Sequence, residues 1–67
     1  MAILKVLEIL ASDKSSWEGA AQNAVKEAHK SVRGIRSINV TNQSAVVEKG
    51  KITEYRVNCK ITFALDK

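Results

Sequence analysis

The sequence predicts a two-layer α+β domain with the element order β-α-β-β, in which one helix lies on a three-stranded antiparallel sheet. Apolar and polar residues alternate from Glu54 to Asp66, which is typical of a half-buried strand. Earlier in the chain, small apolar residues recur at spacings of three and four, which predicts a helix. Gly50 lies in a short polar segment that predicts a hairpin turn. We expect one domain, residues 1–67, with a core too small to be very stable alone.

The first strand is predicted from Ile3 to Leu10, and apolar residues occur on both of its faces. Ile3, Leu7 and Ile9 lie on one face, and Leu4, Val6 and Leu10 lie on the other. This pattern indicates that both faces are covered, one by the helix and one by something else. Ala11 to Ser15 is predicted to be a turn.

The helix is predicted to begin with a capping box at Ser15, with Glu18 three residues later. It is predicted to end near Val32, and Gly34 is the expected stop signal. The apolar stripe is rich in alanine, which lets the helix lie close to a sheet. Its members are Trp17, Ala20, Ala21, Ala24, Val25, Ala28 and Val32. His29 falls beside the stripe and is interpreted as a surface residue.

The second strand is predicted from Ile35 to Glu48 and forms a hairpin with the third. The helix returns the chain to the same end of the sheet, so the order 1-3-2 makes the sheet fully antiparallel. A two-residue turn at Lys49 and Gly50 places Ile38 opposite Ile61 and Val40 opposite Cys59, so apolar residues meet on the helix side. On the other face, this register places Ser37, Asn39, Thr41 and Gln43 opposite Thr62, Lys60, Asn58 and Arg56, respectively.

The hairpin is predicted to extend beyond the helix. A helix of about 17 residues is roughly 25 Å long, whereas a third strand of about 14 residues is roughly 46 Å long. Tyr55, Ile52 and Val47 at the far end therefore need cover from another subunit, unless the hairpin is curled or shorter. Ser37 and Arg56 are separated by about 20 Å along the polar face, so one small ligand could touch both only at a junction between subunits.

Composition argues against several classes of function. The net charge of +4 is mild, its cations are scattered and no stacking aromatic residues accompany them, which argues against nucleic-acid binding. Lys5 and Glu8 interrupt the first apolar segment, so we expect no signal peptide, no membrane span and a cytoplasmic protein. Cys59 is the only cysteine, and with His29 it does not make a zinc site.

No catalytic constellation is recognisable, and no glycine-rich phosphate loop is present, so we expect a protein that is not an enzyme. Because disulfides and metals are unavailable, self-association is the remaining way to stabilise so short a chain.

Three segments resemble the dodecin family. They are Val-Leu-Glu-Ile near the start, Ser-Trp-Glu-Gly-Ala-Ala-Gln-Asn-Ala-Val at the helix, and Gly-Lys-Ile-Thr-Glu-Tyr-Arg-Val-Asn-Cys-Lys-Ile-Thr-Phe-Ala-Leu at the end. The resemblance covers nearly the whole chain without gaps. It implies a subunit whose long sheet wraps a helix, and a hollow homododecamer of cubic (tetrahedral) symmetry.

The resemblance also implies flavin storage or buffering rather than catalysis, with riboflavin, its precursors or FMN as ligands. In the family, a tryptophan of the second strand stacks on flavin pairs between subunits, and a glutamine of the third strand hydrogen-bonds the ring edge. Ser37 occupies the tryptophan position and Arg56 the glutamine position, so these are the candidate ligand-binding residues. Serine has no aromatic face, and arginine donates hydrogen bonds but does not accept them.

Another branch of the family shares the Ser-Trp-Glu helix start and the Gly-Lys-Ile-Thr turn, lacks the tryptophan and has been linked to calcium. The carboxylates Asp13, Glu18 and Glu48 are isolated in the sequence, whereas calcium requires six to eight oxygen ligands. The sequence therefore leaves three alternatives: a flavin-type ligand, another ligand such as an anion or calcium, or an assembly with a structural role only.

Overall fold

The computed structural model describes residues 3–65 and contains one helix and three strands. The elements are β1 (Ile3–Asp13), α1 (Trp17–His29), β2 (Ile35–Glu48) and β3 (Lys51–Leu65). The sheet order is β1-β3-β2, and both strand pairs are antiparallel. The predicted fold and strand order are confirmed; Asp66, which was assigned to the last strand, lies outside the described residues. Within residues 3–65, no helix has the length and apolar character needed to cross a membrane.

The core forms between the alanine stripe of α1 and the central strand β3. Val57, Cys59 and Ile61 alternate along β3 and are at most 1% exposed. They lie against Ala20, Ala24 and Ala28, the three buried residues of α1. Because alanine has the shortest apolar side chain, the helix backbone lies close to the sheet, as the sequence predicts.

The start of α1 differs from the prediction by one residue. Ser16, not Ser15, is the N-cap, and its Oγ accepts a hydrogen bond of 2.9 Å from the Gly19 amide. A glycine therefore occupies the third helical position, where a capping box has Glu or Gln, so the predicted capping box is wrong. The Asp13 carboxylate lies directly over Gly19, and a Cβ at this glycine would overlap it.

Strand β1 continues through the segment that was predicted as a turn. It pairs with β3 as far as Ser12 opposite Arg56 and Asp13 opposite Tyr55. The strand continues because β3 extends far enough to supply partners, and the turn that follows is only three residues long.

Helix α1 ends at His29, earlier than predicted. The Ala28 carbonyl accepts hydrogen bonds from the amides of both Ser31 and Val32, at 3.0 and 2.9 Å, and this tight turn closes the helix. Gly34 has a φ of 74° but lies in the connection to β2, so it is not the helix stop.

The β2–β3 hairpin extends beyond the helix, as predicted. Lys49 and Gly50 have φ values of 53° and 78°, as a two-residue type I′ turn requires. The described chain is 51 Å long, whereas a 13-residue helix is only about 20 Å long. Val47 and Ile52 near the tip are 62% and 50% exposed.

Tyr55 does not share this exposure, so the prediction that it needs cover from another subunit is wrong. The Trp17 ring meets Tyr55 edge-on, with ring centroids 4.8 Å apart. The Trp17 indole N–H donates a hydrogen bond of 2.8 Å to the Ser44 carbonyl on β2. One aromatic side chain thereby connects the first turn of α1 to both strands of the hairpin.

Candidate ligand-binding face

The candidate site lies on the face of the sheet opposite the helix, called here the outer face. On β3, the residues that alternate with the buried Val57, Cys59 and Ile61 point to this face. In the central part of β3 they are Arg56, Asn58, Lys60 and Thr62, and the strand registers place Ser37, Asn39 and Ser44 of β2 on the same face. The part of this face formed by β2 and β3 is polar, and α1 does not cover it.

Ser37 and Arg56, the two residues predicted from the sequence, both lie on the outer face but far apart. Ser37 pairs with Thr62, whereas Arg56 pairs with Ser44. Thr62 and Arg56 are six residues apart on β3, which corresponds to roughly 20 Å. One subunit therefore does not bring the two residues together, in agreement with the distance expected from the sequence.

A bulge in β2 changes the register around Arg56. The predicted pairing holds at Ile38 with Ile61 and at Val40 with Cys59, but it shifts by one residue between Val40 and Asn42. Thr41 is the extra residue, and its hydroxyl donates a hydrogen bond of 3.0 Å to the Asn58 carbonyl. The predicted pairing of Thr41 with Asn58 and of Gln43 with Arg56 is therefore wrong, because a bulge inserts one residue without a partner.

The consequence of the bulge is a row of three residues across the sheet: Ser12 on β1, Arg56 on β3 and Ser44 on β2. Directly opposed residues have Cβ atoms about 4.5–5.5 Å apart, so the three side chains leave the sheet next to one another. Arg56 is exposed, and the single ion pair found within 4.0 Å in the described part of the chain joins other residues, Lys30 and Glu27. An unpaired guanidinium between two hydroxyls can bind an oxyanion such as a phosphate or carboxylate.

Sequence reasoning missed Ser12 and Ser44 as neighbours of Arg56. Ser12 was missed because the strand was predicted to stop at Leu10, and Ser44 because the bulge has no clear sequence signal. The polar segment from Thr41 to Ser44 is the one hint, since it interrupts the alternation that keeps a strand regular.

The β1 side of the outer face is apolar. Leu4, Val6 and Leu10 point to this side and are 52%, 58% and 63% exposed. These are large exposures for aliphatic residues in one strand, and burying them would be favourable by about 25 cal/mol per Å². The sequence predicts that both faces of β1 are covered. Among the described residues of one chain, nothing covers this second face.

The carboxylates considered for calcium do not form a site in one chain. Asp13 Oδ2 accepts hydrogen bonds from the Ser15 and Ser16 amides at 2.9 and 3.1 Å, and Oδ1 accepts one from Asn23 Nδ2 at 3.3 Å. These donors, the backbone amides first, hold the pKa of Asp13 below its usual value. Across residues 3–65, no three His, Cys, Asp or Glu side chains are grouped closely enough to hold a metal ion.

Cys59 and His29 lie in different surroundings, one in the core and the other on the surface. Cys59 is buried in the core, its thiol donates to the Ile9 carbonyl at 3.5 Å, and burial raises the pKa of the thiol. His29 is exposed at the end of α1, as the sequence predicts.

Comparison with known proteins gives a consistent result. A family model described as Dodecin matches residues 3–66. The protein called calcium dodecin from Mycobacterium tuberculosis is 39% identical over 66 residues, which covers 97% of this chain and 92% of that protein.

Solved structures agree with the fold. A mutant of the dodecin from Thermus thermophilus superposes with a TM-score of 0.94 over 100% of both chains, at 22% identity. The calcium dodecin crystal structure, described as a calcium-chelating antigen with a novel calcium-binding site, has a TM-score of 0.82 at 37% identity and covers 96% of this chain and 91% of that one.

Proposed function

The chain belongs to the dodecin family, and on this premise we propose that it is a small-ligand binding and storage protein that works as a homododecamer. The ligand binds at subunit junctions on the outer sheet face, with Arg56 as its anchor and Ser37 lining the pocket. The observation that carries this proposal is the unpaired guanidinium of Arg56 between Ser12 and Ser44 on a face that α1 leaves open.

Exposed apolar residues support assembly. They occur at the edge of the sheet, where Leu4, Val6 and Leu10 point away from the helix, and at the hairpin tip, where Val47 and Ile52 project. A closed symmetric assembly covers such patches without leaving new ones. Assembly can also bring Ser37 of one copy close to Arg56 of another, since residues about 20 Å apart in one chain can meet at a junction between copies.

The chemistry of the anchor favours an anionic ligand, and among flavins it favours FMN over riboflavin. Arginine binds a phosphate through two parallel hydrogen bonds, whereas a neutral ribityl hydroxyl offers one weaker acceptor. Ser37 offers no aromatic face, so the stacking contribution of about 0.5–1.5 kcal/mol per aromatic pair is absent. We therefore expect flavin binding to be weak and to depend on the phosphate.

Fluorescence titration with riboflavin and FMN tests this proposal. We expect FMN to bind about tenfold more tightly, since one charge-assisted hydrogen bond contributes about 1.5 kcal/mol. Arg56→Gln should remove the preference, and Lys49→Gln at the exposed hairpin turn should leave it unchanged. Ser37→Trp should strengthen the binding of both flavins by restoring a stacking surface. If neither flavin binds at high micromolar concentration, a flavin ligand is excluded.

If neither flavin binds but phosphate esters do, and Arg56→Gln weakens their binding, the ligand of the dodecamer is an oxyanion other than a flavin. Light scattering on the purified protein measures the assembly independently of the ligand. A preparation that is fully folded and monomeric would contradict the proposal as a whole.

Calcium binding is a second candidate, and one observation favours it: the relative at 39% identity is called calcium dodecin. Asp13 already accepts three hydrogen bonds, from Ser15, Ser16 and Asn23, so a calcium site would draw chiefly on Glu18 and Glu48 of different copies. Equilibrium dialysis with calcium tests this alternative, and single Glu→Gln variants at these positions would identify the ligands. No binding at millimolar calcium would exclude it.

We propose no enzymatic activity for this chain. The buried thiol of Cys59, the exposed imidazole of His29 and the capped carboxylate of Asp13 lie on different elements and share no hydrogen bond. The free thiol also suits a reducing compartment such as the cytoplasm. Incubation of the assembly with a bound flavin should return the flavin chemically unchanged.

A further inference from the structure

A second candidate site lies where α1 ends and the chain turns towards β2. Six consecutive residues line a half-open hollow of about 510 Å³. They are His29, Lys30, Ser31, Val32, Arg33 and Gly34. The volume lies within the range of about 300–1,000 Å³ that small-molecule pockets occupy.

The lining of the hollow carries two cations, Lys30 and Arg33, and no carboxylate. Glu27, which is not a lining residue, pairs with Lys30 at 3.3 Å on the surface. In the described part of the chain, Arg33 has no carboxylate within the 4.0 Å that defines an ion pair. A concave surface lined by one sign of charge focuses the field and attracts counter-ions.

Helix stabilisation accounts for only part of this charge. Lys26, His29 and Lys30 lie in or beside the last turn of α1, where cations interact favourably with the helix dipole. Arg33 lies four residues beyond the helix end, and the dipole effect falls off within the last turn. The helix dipole therefore does not account for Arg33, which lines the hollow.

The walls of the hollow are held in place by backbone hydrogen bonds. The Ala28 carbonyl binds the amides of Ser31 and Val32 at one end. At the other end, the Gly34 carbonyl accepts a hydrogen bond of 3.0 Å from the Ala64 amide of β3, and the positive φ of Gly34 turns the chain into β2. Val32 anchors the middle of the segment by contact with the core. A site framed in this way needs little ordering on binding, which favours affinity.

We propose that this hollow is a binding site for a phosphorylated small molecule, with Arg33 and Lys30 as the phosphate contacts and His29 and Ser31 as further hydrogen-bonding groups. Arg33 offers a planar fork for two phosphate oxygens, and Lys30 offers a compact charge that can exchange Glu27 for the ligand. The lining residues include neither Ser37 nor Arg56, so the site goes beyond the function proposed above.

Calorimetric titration of the assembled protein with inorganic pyrophosphate tests the proposal. We expect saturable binding that weakens at least tenfold in the double variant Lys30→Gln/Arg33→Gln. The matched control is Lys14→Gln/Lys51→Gln, which removes the same charge from two exposed residues elsewhere and should change the affinity less than twofold. Equal losses in the two double variants would mean a general charge effect and would overturn the proposal, as would the absence of binding to the unmodified protein.

Chemical modification locates the site independently. Pyrophosphate should protect Arg33 from phenylglyoxal, as measured by peptide mass spectrometry, and protection should persist in Arg56→Gln. If pyrophosphate protects Arg56 instead, the anion binds at the outer face, and the hollow is not a site. Circular dichroism of each variant checks that the fold is retained before affinities are compared.

Discussion

The two faces of the sheet differ in how completely one chain covers them. On the helix face, Val57, Cys59 and Ile61 are almost fully buried by the alanines of α1. On the outer face, Leu4, Val6 and Leu10 are each more than half exposed, although they belong to the same sheet. The covered face accounts for the fold of the subunit, and the open face is where we place assembly and ligand binding. The predictions below alter one face and compare the result with the other.

Charging the apolar part of the outer face should have the largest effect. In Val6→Lys/Leu10→Lys, every junction would bury two new unpaired cations, and burying an unpaired charge is strongly unfavourable. We expect light scattering to show loss of the large assembly and its replacement by small oligomers or monomers. Gln22→Lys, on the exposed surface of α1, is the control and should leave the mass unchanged. An intact assembly of the double variant would show that this edge is not a junction.

Truncating the covered face should have the next largest effect. Ile61→Ala removes a fully buried side chain and leaves a cavity beside Ala24, so we expect a loss of about 2–5 kcal/mol in the free energy of unfolding. The neighbouring Lys60→Ala alters an exposed outer-face residue and should change it by less than about 0.5 kcal/mol. Urea denaturation at one fixed protein concentration measures both. Similar losses in the two variants would mean that assembly buries the outer face as fully as the helix buries the core.

Sequence patterns predicted the covered face better than the open one. Period-two alternation in β3 and the alanine stripe of α1 record burial directly, and the two-residue turn at Gly50 fixed the register at Ile38 and Val40. The bulge at Thr41 and the extension of β1 through Ser12 depend on pairing partners that are distant in sequence. Arg56 was a candidate only through the family resemblance, and its neighbours Ser12 and Ser44 could not be predicted from the sequence.

The start of α1 provides a test of intermediate size, because sequence and structure assign the cap to different serines. Ser16→Ala removes the hydroxyl that accepts the Gly19 amide, so we expect a loss of about 1 kcal/mol in the free energy of unfolding. Ser15→Ala is the matched control and should have little effect, because the Ser15 backbone amide, not its side chain, binds Asp13. Urea denaturation of both variants compares them. A larger loss in Ser15→Ala would restore the capping box predicted from the sequence.

The smallest expected effect is a dependence of stability on pH that arises from Asp13, at the junction between β1 and α1. Amide donors of Ser15 and Ser16 lower the pKa of this carboxyl in the folded protein, so the folded state binds the proton less readily than the unfolded state does. The stabilisation is therefore complete above the unfolded pKa of about 3.9 and is lost as the pH falls through the lower folded pKa.

Asp13→Asn cannot ionise, so we expect the difference in urea midpoint between the natural protein and this variant to be largest near pH 7 and to shrink below about pH 4. Because Asp13 is only partly buried and solvent screens its charge, the difference should be modest. Glu18→Gln removes an acidic group from the first turn without these amide contacts and serves as the control. A midpoint difference for Asp13→Asn that is constant from pH 7 to pH 3 would mean that the hydrogen-bond geometry at this junction, and not the charge, provides the stabilisation.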